Sequence, residues 1–215
     1  SPAEDYGKAK LEAEIICDRF TAKGLDISII RPRTILGPGR LGIFELLFDW
    51  VADGKRIFTF GKGDNVYQFV HIDDVISACI SAAQVPGQAK YNIGGEPFTT
   101  MKKTLQGLVD HAGTNSPISS IPIGPSAFLL KWLSKLRLLP FAPYHWLLYG
   151  RSLYFDGTDA RKHLDSQPSY GNIDAINDAY DWYMDNRNAI PTGGIPSPHR
   201  RPVSRGLLKI LKWFL

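Results

Sequence analysis

The chain has few cysteines and little excess of either charge, and each scarcity argues against a class of protein. Its 215 residues include two cysteines, Cys17 and Cys79, with no Cys-x-x-Cys pair or Cys/His cluster, so neither a disulfide framework nor a metal site is predicted. Both cysteines fall on apolar helical faces, and we expect reduced core residues of a cytoplasmic protein. Basic residues number 25 against 21 acidic ones, a net charge of +4, which does not suggest nucleic-acid binding.

Long apolar runs are also missing. No uninterrupted apolar stretch reaches the ~18 residues of a membrane-spanning helix, and no secretory signal opens the chain. An apolar content of 44% with 21% charged residues is ordinary for a globular domain. We therefore expect one globular domain with an appendage.

The first segment predicts a helix over residues 6–22 with a chemically useful face. Apolar residues recur at three- and four-residue steps before Gly24, at Ala9, Ala13, Ile16 and Phe20. Tyr6 and Lys10 are then one turn apart on one face. A phenol titrates near pH ~10, and a neighbouring ammonium group favours the phenolate, which makes a usable general acid/base for a hydroxyl-bearing carbon. Alone, the pattern also fits an ordinary helix start with solvated lysines.

A glycine-rich turn follows the first predicted strand, which spans residues 25–36. Gly37, Gly39 and Gly42 formally match G-x-G-x-x-G and precede an apolar helix over 43–52. We interpret the match as a turn, because Pro38 removes a backbone donor where a phosphate cradle needs one. No clear strand ending in an acidic residue follows about 20 residues later.

The segment 66–75 predicts a strand leading into a helix. Asp73 and Asp74 stand where that helix begins, and we expect them to cap its free N–H groups. We interpret His71 as a satisfied core residue, with catalysis as the less favoured alternative. Four apolar positions are predicted to face inward: Val75, Ile76, Cys79 and Ile80.

Several segments resemble, in order, those of the extended short-chain dehydrogenase/reductase family, the NAD-dependent epimerases and dehydratases. They are Tyr6–Glu14, Arg31–Gly39, Phe69–Val75, Tyr91–Pro97 and, more loosely, Asp156–Leu164. The resemblance covers residues 1–187 and implies an α/β fold. It implies part of a doubly wound Rossmann-type parallel sheet with a small α/β substrate lobe, mainly 37–56 and 86–172. It also implies a longer protein whose preceding part holds the glycine fingerprint and the catalytic Ser or Thr.

The resemblance implies NAD or NADP as cofactor and a role for each matching residue. Tyr6 and Lys10 would be catalytic and contact the cofactor, Tyr6 exchanging a proton with a substrate hydroxyl and Lys10 holding the nicotinamide ribose. The nicotinamide would be bordered by Pro32, Arg33, Thr34 and Ile35, and the substrate would be faced by Arg33, Arg40 and Tyr67. Nucleotide-sugar members commonly carry arginine where Tyr67 stands.

Three functions are compatible with these features. The first is an NAD(P)-dependent epimerase, dehydratase or dehydrogenase acting on a nucleotide sugar. The second is a 3β-hydroxysteroid-dehydrogenase-like enzyme acting on an apolar, membrane-borne alcohol, favoured by Tyr67 and the apolar segment 127–149. The third is a catalytically silent fragment that serves as a binding module. Family resemblance further implies a homodimer paired through the helix that carries Tyr6.

Two apolar stretches depart from the pattern of an aqueous enzyme. Segment 127–149 is rich in Leu, Phe and Trp and predicts either a lid helix or membrane contact. A Pro/Gly-rich linker, 188–204, leads to a basic amphipathic tail helix, 205–215. Lysines among Leu, Trp and Phe are typical of an interfacial helix, so the tail predicts peripheral contact with the inner face of a membrane or, alternatively, docking on protein.

Overall fold

The computed structural model describes residues 5–122, 150–164 and 167–189. The helices in this part of the chain are α1 (Asp5–Thr21), α2 (Phe44–Ala52), α3 (Ile72–Gln84), α4 (Met101–His111), α5 (Thr158–His163) and α6 (Asn172–Asn186). The strands are β1 (Ser28–Pro32), β2 (Thr34–Leu36), β3 (Ile57–Phe60), β4 (Val66–Tyr67), β5 (Phe69–His71), β6 (Ala89–Ile93), β7 (Thr99–Thr100) and β8 (Ile118–Ile121).

Three of the described strand pairs are parallel. β1 pairs with β6, β2 with β5 and β3 with β8, whereas β4 pairs antiparallel with β7. Parallel strands joined through helices are the arrangement of an α/β fold, as the sequence predicts.

The predicted strand over residues 25–36 is two strands. Pro32 has no N–H and ends β1, after which the Arg33 N–H donates to the Ile93 carbonyl at 2.9 Å. Thr34 then begins β2, which pairs with β5. One residue therefore separates a strand of one sheet from a strand of another.

The main apolar core lies between α2, α4 and α6. Phe48 stacks edge-on against Tyr180 at 5.7 Å between ring centroids, and Phe44 does the same against Phe69 at 5.3 Å. Four residues of α6 recur at helical spacing in the sequence, and all are buried: Ile176, Ala179, Tyr180 and Tyr183. Thr100 caps α4, its hydroxyl accepting from the Lys103 N–H at 3.3 Å.

The predicted inward face of α3 is wrong at three of its four positions, and only Val75 packs against the core. Ile76, Cys79 and Ile80 are exposed, and the residues that α3 buries are Asp74, Ala78, Ser81 and Ala82. Beyond its first turn the helix carries no charged residue, and its face of small side chains packs on the sheet. The expectation of two core cysteines fails with it, since Cys79 is exposed and Cys17 only half-buried.

The start of α3 also differs from the expected pair of aspartate caps. The N-cap is His71, whose Nδ1 accepts from the Asp73 N–H at 3.2 Å. Asp74 is buried and accepts from the main-chain N–H groups of Ser169 and Tyr170, at 2.9 and 3.3 Å. Its carboxylate thus ties α3 to the segment that enters α6.

The predictions for segment 127–149, for the tail 205–215 and for most of the linker 188–204 lie outside the described residues. Among the helices that the structure does describe, none is long and apolar enough to cross a membrane.

Candidate active site

Helix α1 runs antiparallel to β1 and β6. Glu14 is hydrogen-bonded by Arg31 of β1, Asp18 by Lys90 of β6, and the Thr21 carbonyl by Gln88, so lower numbers in α1 meet higher numbers in the strands. From Glu14 to Tyr6 the helix rises by about 12 Å, while β1 ends one residue after Arg31. The first turns of α1 therefore extend past the carboxyl ends of β1 and β6.

Tyr6 and Lys10 share one face of these first turns. The Lys10 Nζ lies 5.7 Å from the centroid of the Tyr6 ring, and the Tyr6 side chain is 68% exposed. A phenol and an ammonium group are thus next to each other, at the sheet edge where open α/β folds bind ligands. The sequence prediction of their proximity agrees with this geometry.

Arg33 lies at the same edge, where β1 ends. Its guanidinium carbon is 5.0 Å from the centroid of Tyr67 and 5.2 Å from that of Phe155. We call this arrangement the Arg33 sandwich. The Nε and Nη2 atoms of Arg33 are buried and have no hydrogen-bond partner among the described residues.

Hydrogen bonds hold both aromatic residues of the Arg33 sandwich in place. The Tyr67 hydroxyl and the Thr34 Oγ1 are 2.8 Å apart, and Tyr67 is 2% exposed. Gln68, also buried, accepts from the Phe155 N–H at 2.9 Å and donates to the Gly95 carbonyl at 3.2 Å. A Cβ on Gly94 would collide with the Gln68 amide, so this glycine leaves the room that Gln68 needs.

The remaining predicted site residues are distributed around this edge. Pro32 ends β1, Thr34 and Ile35 form the start of β2, and all three are half-buried. Arg40 is exposed in the turn before α2, where its N–H donates to the Gly37 carbonyl at 2.9 Å.

His71 is a structural residue in this arrangement. It is fully buried, its Nε2 is 2.9 Å from the Asp178 Oδ2, and its ring stacks on Tyr170 at 3.8 Å. A Cβ on Gly37 would collide with the side chains of His71 and Ile72, so the turn after β2 packs directly on the start of α3.

Two residues of the site were not predicted from sequence. Phe155 and Gln68 complete the Arg33 sandwich, but Phe155 is more than 80 positions from either of its partners, so no local pattern connects them. The only signal for Gln68 is a polar residue directly before the apolar pair Phe69 and Val70.

The sequence profile of the NAD dependent epimerase/dehydratase family matches residues 1–94, which hold α1, β1, β2 and the whole of α3. Over these residues the chain is similar to this family. The match includes Tyr6, Lys10 and Arg33, and the resemblance carried by the ordered motifs is thereby confirmed.

Individual relatives agree with this family assignment. An uncharacterized protein of Sinorhizobium fredii, y4nG, is 49% identical over 216 residues, covering all of this chain and 54% of its own length. The 3β-hydroxysteroid-dehydrogenase/decarboxylase isoform 1 of Arabidopsis thaliana is 27% identical over 77% of this chain and 42% of its own length. The chain thus spans about half the length of these relatives.

Solved structures of the family confirm the Rossmann-type fold. The UDP-glucuronic acid 4-epimerase of Bacillus cereus, determined in complex with NAD, superposes with a TM-score of 0.65 at 21% identity. That superposition covers 86% of this chain and 54% of the epimerase.

Proposed function

We propose that this chain carries the proton-transfer couple of an NAD(P)-dependent oxidoreductase or epimerase. The observation that carries the proposal is the position of Tyr6 and Lys10, adjacent on one helix face beyond the carboxyl ends of β1 and β6. The match of residues 1–94 to the NAD dependent epimerase/dehydratase family supports it.

The residues at this edge suit a nicotinamide cofactor. Tyr6 is exposed there, and its phenol and the Lys10 ammonium group are neighbours, as a hydroxyl-binding and ribose-binding pair must be. The β1–β2 junction, Pro32 to Ile35, would border the nicotinamide, and NAD or NADP would supply the hydride acceptor.

In the oxidation direction, the Tyr6 oxygen takes the proton of a substrate hydroxyl as a C=O bond forms at that carbon. A bound nicotinamide would accept the hydrogen of that carbon, with its electron pair, as hydride. Lys10 stabilises the negative charge on the phenol oxygen before the proton arrives. In the reverse direction Tyr6 returns the proton to the carbonyl oxygen.

For the substrate we propose a nucleotide sugar, with Arg33, Arg40 and Tyr67 on the substrate side. The Bacillus cereus relative that shares the fold is an epimerase of UDP-glucuronic acid. A second candidate is an apolar alcohol, which the Arabidopsis 3β-hydroxysteroid relative favours because its match extends over 77% of this chain.

We further propose a homodimer paired through α1. The exposed surface of this helix includes large apolar side chains that are 42–51% exposed: Leu11, Ile15, Ile16 and Phe20. Burying such a face against a second copy is favourable by about 25 cal/mol per Å² of apolar surface. A cytoplasmic location, with peripheral membrane contact through 205–215, remains a prediction.

Turnover by the full-length natural protein tests the function. UDP-glucuronate, UDP-glucose and a 3β-hydroxysterol are each incubated with NAD or NADP, and products are followed by absorbance and mass spectrometry. Tyr6→Phe should lower kcat by roughly 10²- to 10⁴-fold, because a positioned acid/base contributes about that much. The matched control is Tyr154→Phe, since Tyr154 is also an exposed tyrosine, stacked on Phe98 instead of beside a lysine.

Full activity of Tyr6→Phe would refute the assignment of the proton couple. A wild-type protein that binds nucleotide sugars but turns over none of the substrates with either cofactor would favour the third hypothesis, a binding module without catalysis.

A further inference from the structure

Three arginines, Arg31, Arg161 and Arg187, form ion pairs in the described part of the chain, and Arg33 differs from them. Those pairs are Arg31 with Glu14, Arg161 with Glu96, and Arg187 with Asp49 and Asp53. In the Arg33 sandwich, by contrast, Nε and Nη2 are buried with no hydrogen-bond partner among the described residues. A buried guanidinium edge without acceptors is costly, because a desolvated charge and its N–H groups need compensation.

Arg31 shows what such an edge binds. Its Nε donates to one carboxylate oxygen of Glu14 at 2.8 Å, and its Nη2 donates to the other oxygen. These two N–H groups point the same way and match the spacing of two oxygens on a carboxylate or phosphate. Arg33 presents the same two nitrogens, and within the described ranges no carboxylate meets them.

The Arg33 sandwich also restricts where a ligand can bind. Tyr67 and Phe155 lie at similar distances from the guanidinium carbon, 5.0 and 5.2 Å, so both rings contact the guanidinium group. Hydrogen bonds must then form at its edge. Thr34 and Gln68 hold the two rings in place, which pre-organises the guanidinium and lowers the entropy cost of binding at that edge.

The position along the chain is that of a ligand site. The Arg33 N–H is bonded to the Ile93 carbonyl, so the residue sits at the carboxyl ends of both β1 and β6. Ligands of open parallel sheets bind outside these ends, and the first turns of α1, with Tyr6, reach the same edge. Arg33 as a residue is partly exposed, whereas its Nε and Nη2 atoms are buried.

We propose that the Nε and Nη2 edge of Arg33 binds an oxyanion of the substrate, a carboxylate or a phosphate, as a two-pronged hydrogen-bonded pair. The proposal rests on the proposed function only in assigning that anion to the substrate. Its role is to select and orient an anionic substrate, with the Arg33 sandwich as the pre-formed receptor.

Titration calorimetry on the full-length natural protein tests the proposal without cofactor or turnover. The probes are UDP and glucuronate, with uridine and glucose as their uncharged counterparts. Arg33→Gln removes the charge, Arg33→Lys keeps the charge but not the paired N–H edge, and Arg56→Gln is the matched control at an exposed arginine. Thermal melts of each protein are recorded with and without each probe.

We expect Arg33→Gln to lower the affinity for an anionic probe by roughly tenfold to a hundredfold, as for loss of a charged hydrogen-bonded pair. The affinity of Arg33→Lys should be intermediate, and that of Arg56→Gln should equal the wild-type value. An effect on UDP identifies a phosphate site, and an effect on glucuronate a carboxylate site. The anion should raise the Tm of the wild-type chain and of Arg56→Gln but not of Arg33→Gln.

Two results would overturn the proposal. One is a wild-type chain that binds neither anion. The other is an anion affinity that Arg33→Gln leaves unaltered or, if that variant does not fold, that Arg33→Lys leaves unaltered. A lower Tm with unaltered affinity would show that the Arg33 sandwich only stabilises the fold. Tyr6→Phe should retain the Arg33-dependent affinity, so failure of the catalytic proposal and failure of this one give different results.

Discussion

Asn172 offers a direct test of the packing that supports the candidate site. Its side chain is 1% exposed at the start of α6 and makes three hydrogen bonds. Oδ1 accepts from the Phe69 N–H at 3.0 Å, while Nδ2 donates to the Tyr67 carbonyl at 2.6 Å and to the Thr104 hydroxyl at 3.3 Å. One amide thus fixes the main chain on both sides of Gln68.

The substitution Asn172→Asp preserves shape and replaces the donor of two hydrogen bonds by an oxygen. The acceptor for Phe69 remains, but an oxygen replaces the donor to Tyr67 and Thr104. Two hydrogen bonds are lost at about 1 kcal/mol each, and the buried Tyr67 carbonyl faces another oxygen at a further cost of about 1–3 kcal/mol. We therefore expect the free energy of unfolding at pH 7 to fall by about 3–5 kcal/mol.

The loss should depend on pH in a defined direction. Burial without a cation disfavours the ionised form, so the pKa of the introduced carboxyl group is raised above its unfolded value near ~3.9. The folded variant then binds more protons than the unfolded one, and its stability falls as pH rises from about 4 through the raised pKa. Below about pH 4 the protonated group can donate to Tyr67, and much of the loss should disappear.

Urea unfolding followed by circular dichroism between about pH 4 and pH 8 measures both effects. Asn115→Asp is the matched control, because Asn115 is exposed in the loop after α4, and it should change stability by less than about 0.5 kcal/mol. A loss below about 1 kcal/mol for Asn172→Asp at pH 7, or a loss that grows on acidification, would refute the reasoning.

Two further predictions concern α1. The Glu14 carboxylate accepts hydrogen bonds from Arg31, which keeps the pKa of Glu14 below its usual 4.5. The ion pair therefore stabilises the fold fully above pH 4.5, and this stabilisation is lost as pH falls through the lowered pKa. Glu14→Gln should cost roughly 1 kcal/mol at pH 7 and less at pH 3 by urea unfolding, because the pair is partly exposed, and an equal cost at both would contradict this account. For the proposed homodimer, light scattering at micromolar concentration should show a dimer that Ile16→Glu converts to monomer; a wild-type monomer would exclude the pairing.

Local periodicity predicted those elements whose inward and outward faces differ clearly. In α6, Ile176 and Tyr180 recur at helical spacing among acidic residues, so both the helix and its buried side were predictable. In α3 the two faces are small and large apolar residues, and the sequence pattern cannot show which one the sheet receives. The sheet receives the small face, so Ala78 is buried and Ile80 is 57% exposed.

The candidate site was likewise predictable from the sequence only in part. Tyr6 and Lys10 were predictable as neighbours because four residues make about one turn of a helix. The Arg33 sandwich was not, because it requires the sheet register that brings Phe155 beside Gln68 from a distant part of the chain. Arg33 itself was a candidate, but only the structure gives its buried edge and its two aromatic neighbours.

The single residue between β1 and β2 has a mechanical consequence. A trans peptide unit spans about 3.8 Å between Cα atoms, so the segment that joins the β1–β6 ladder to the β2–β5 ladder has almost no slack. Any sliding of one ladder against the other must twist the peptide units on either side of Arg33. Strain between the two sheets would then change the orientation of the Arg33 guanidinium relative to the proposed ligand site.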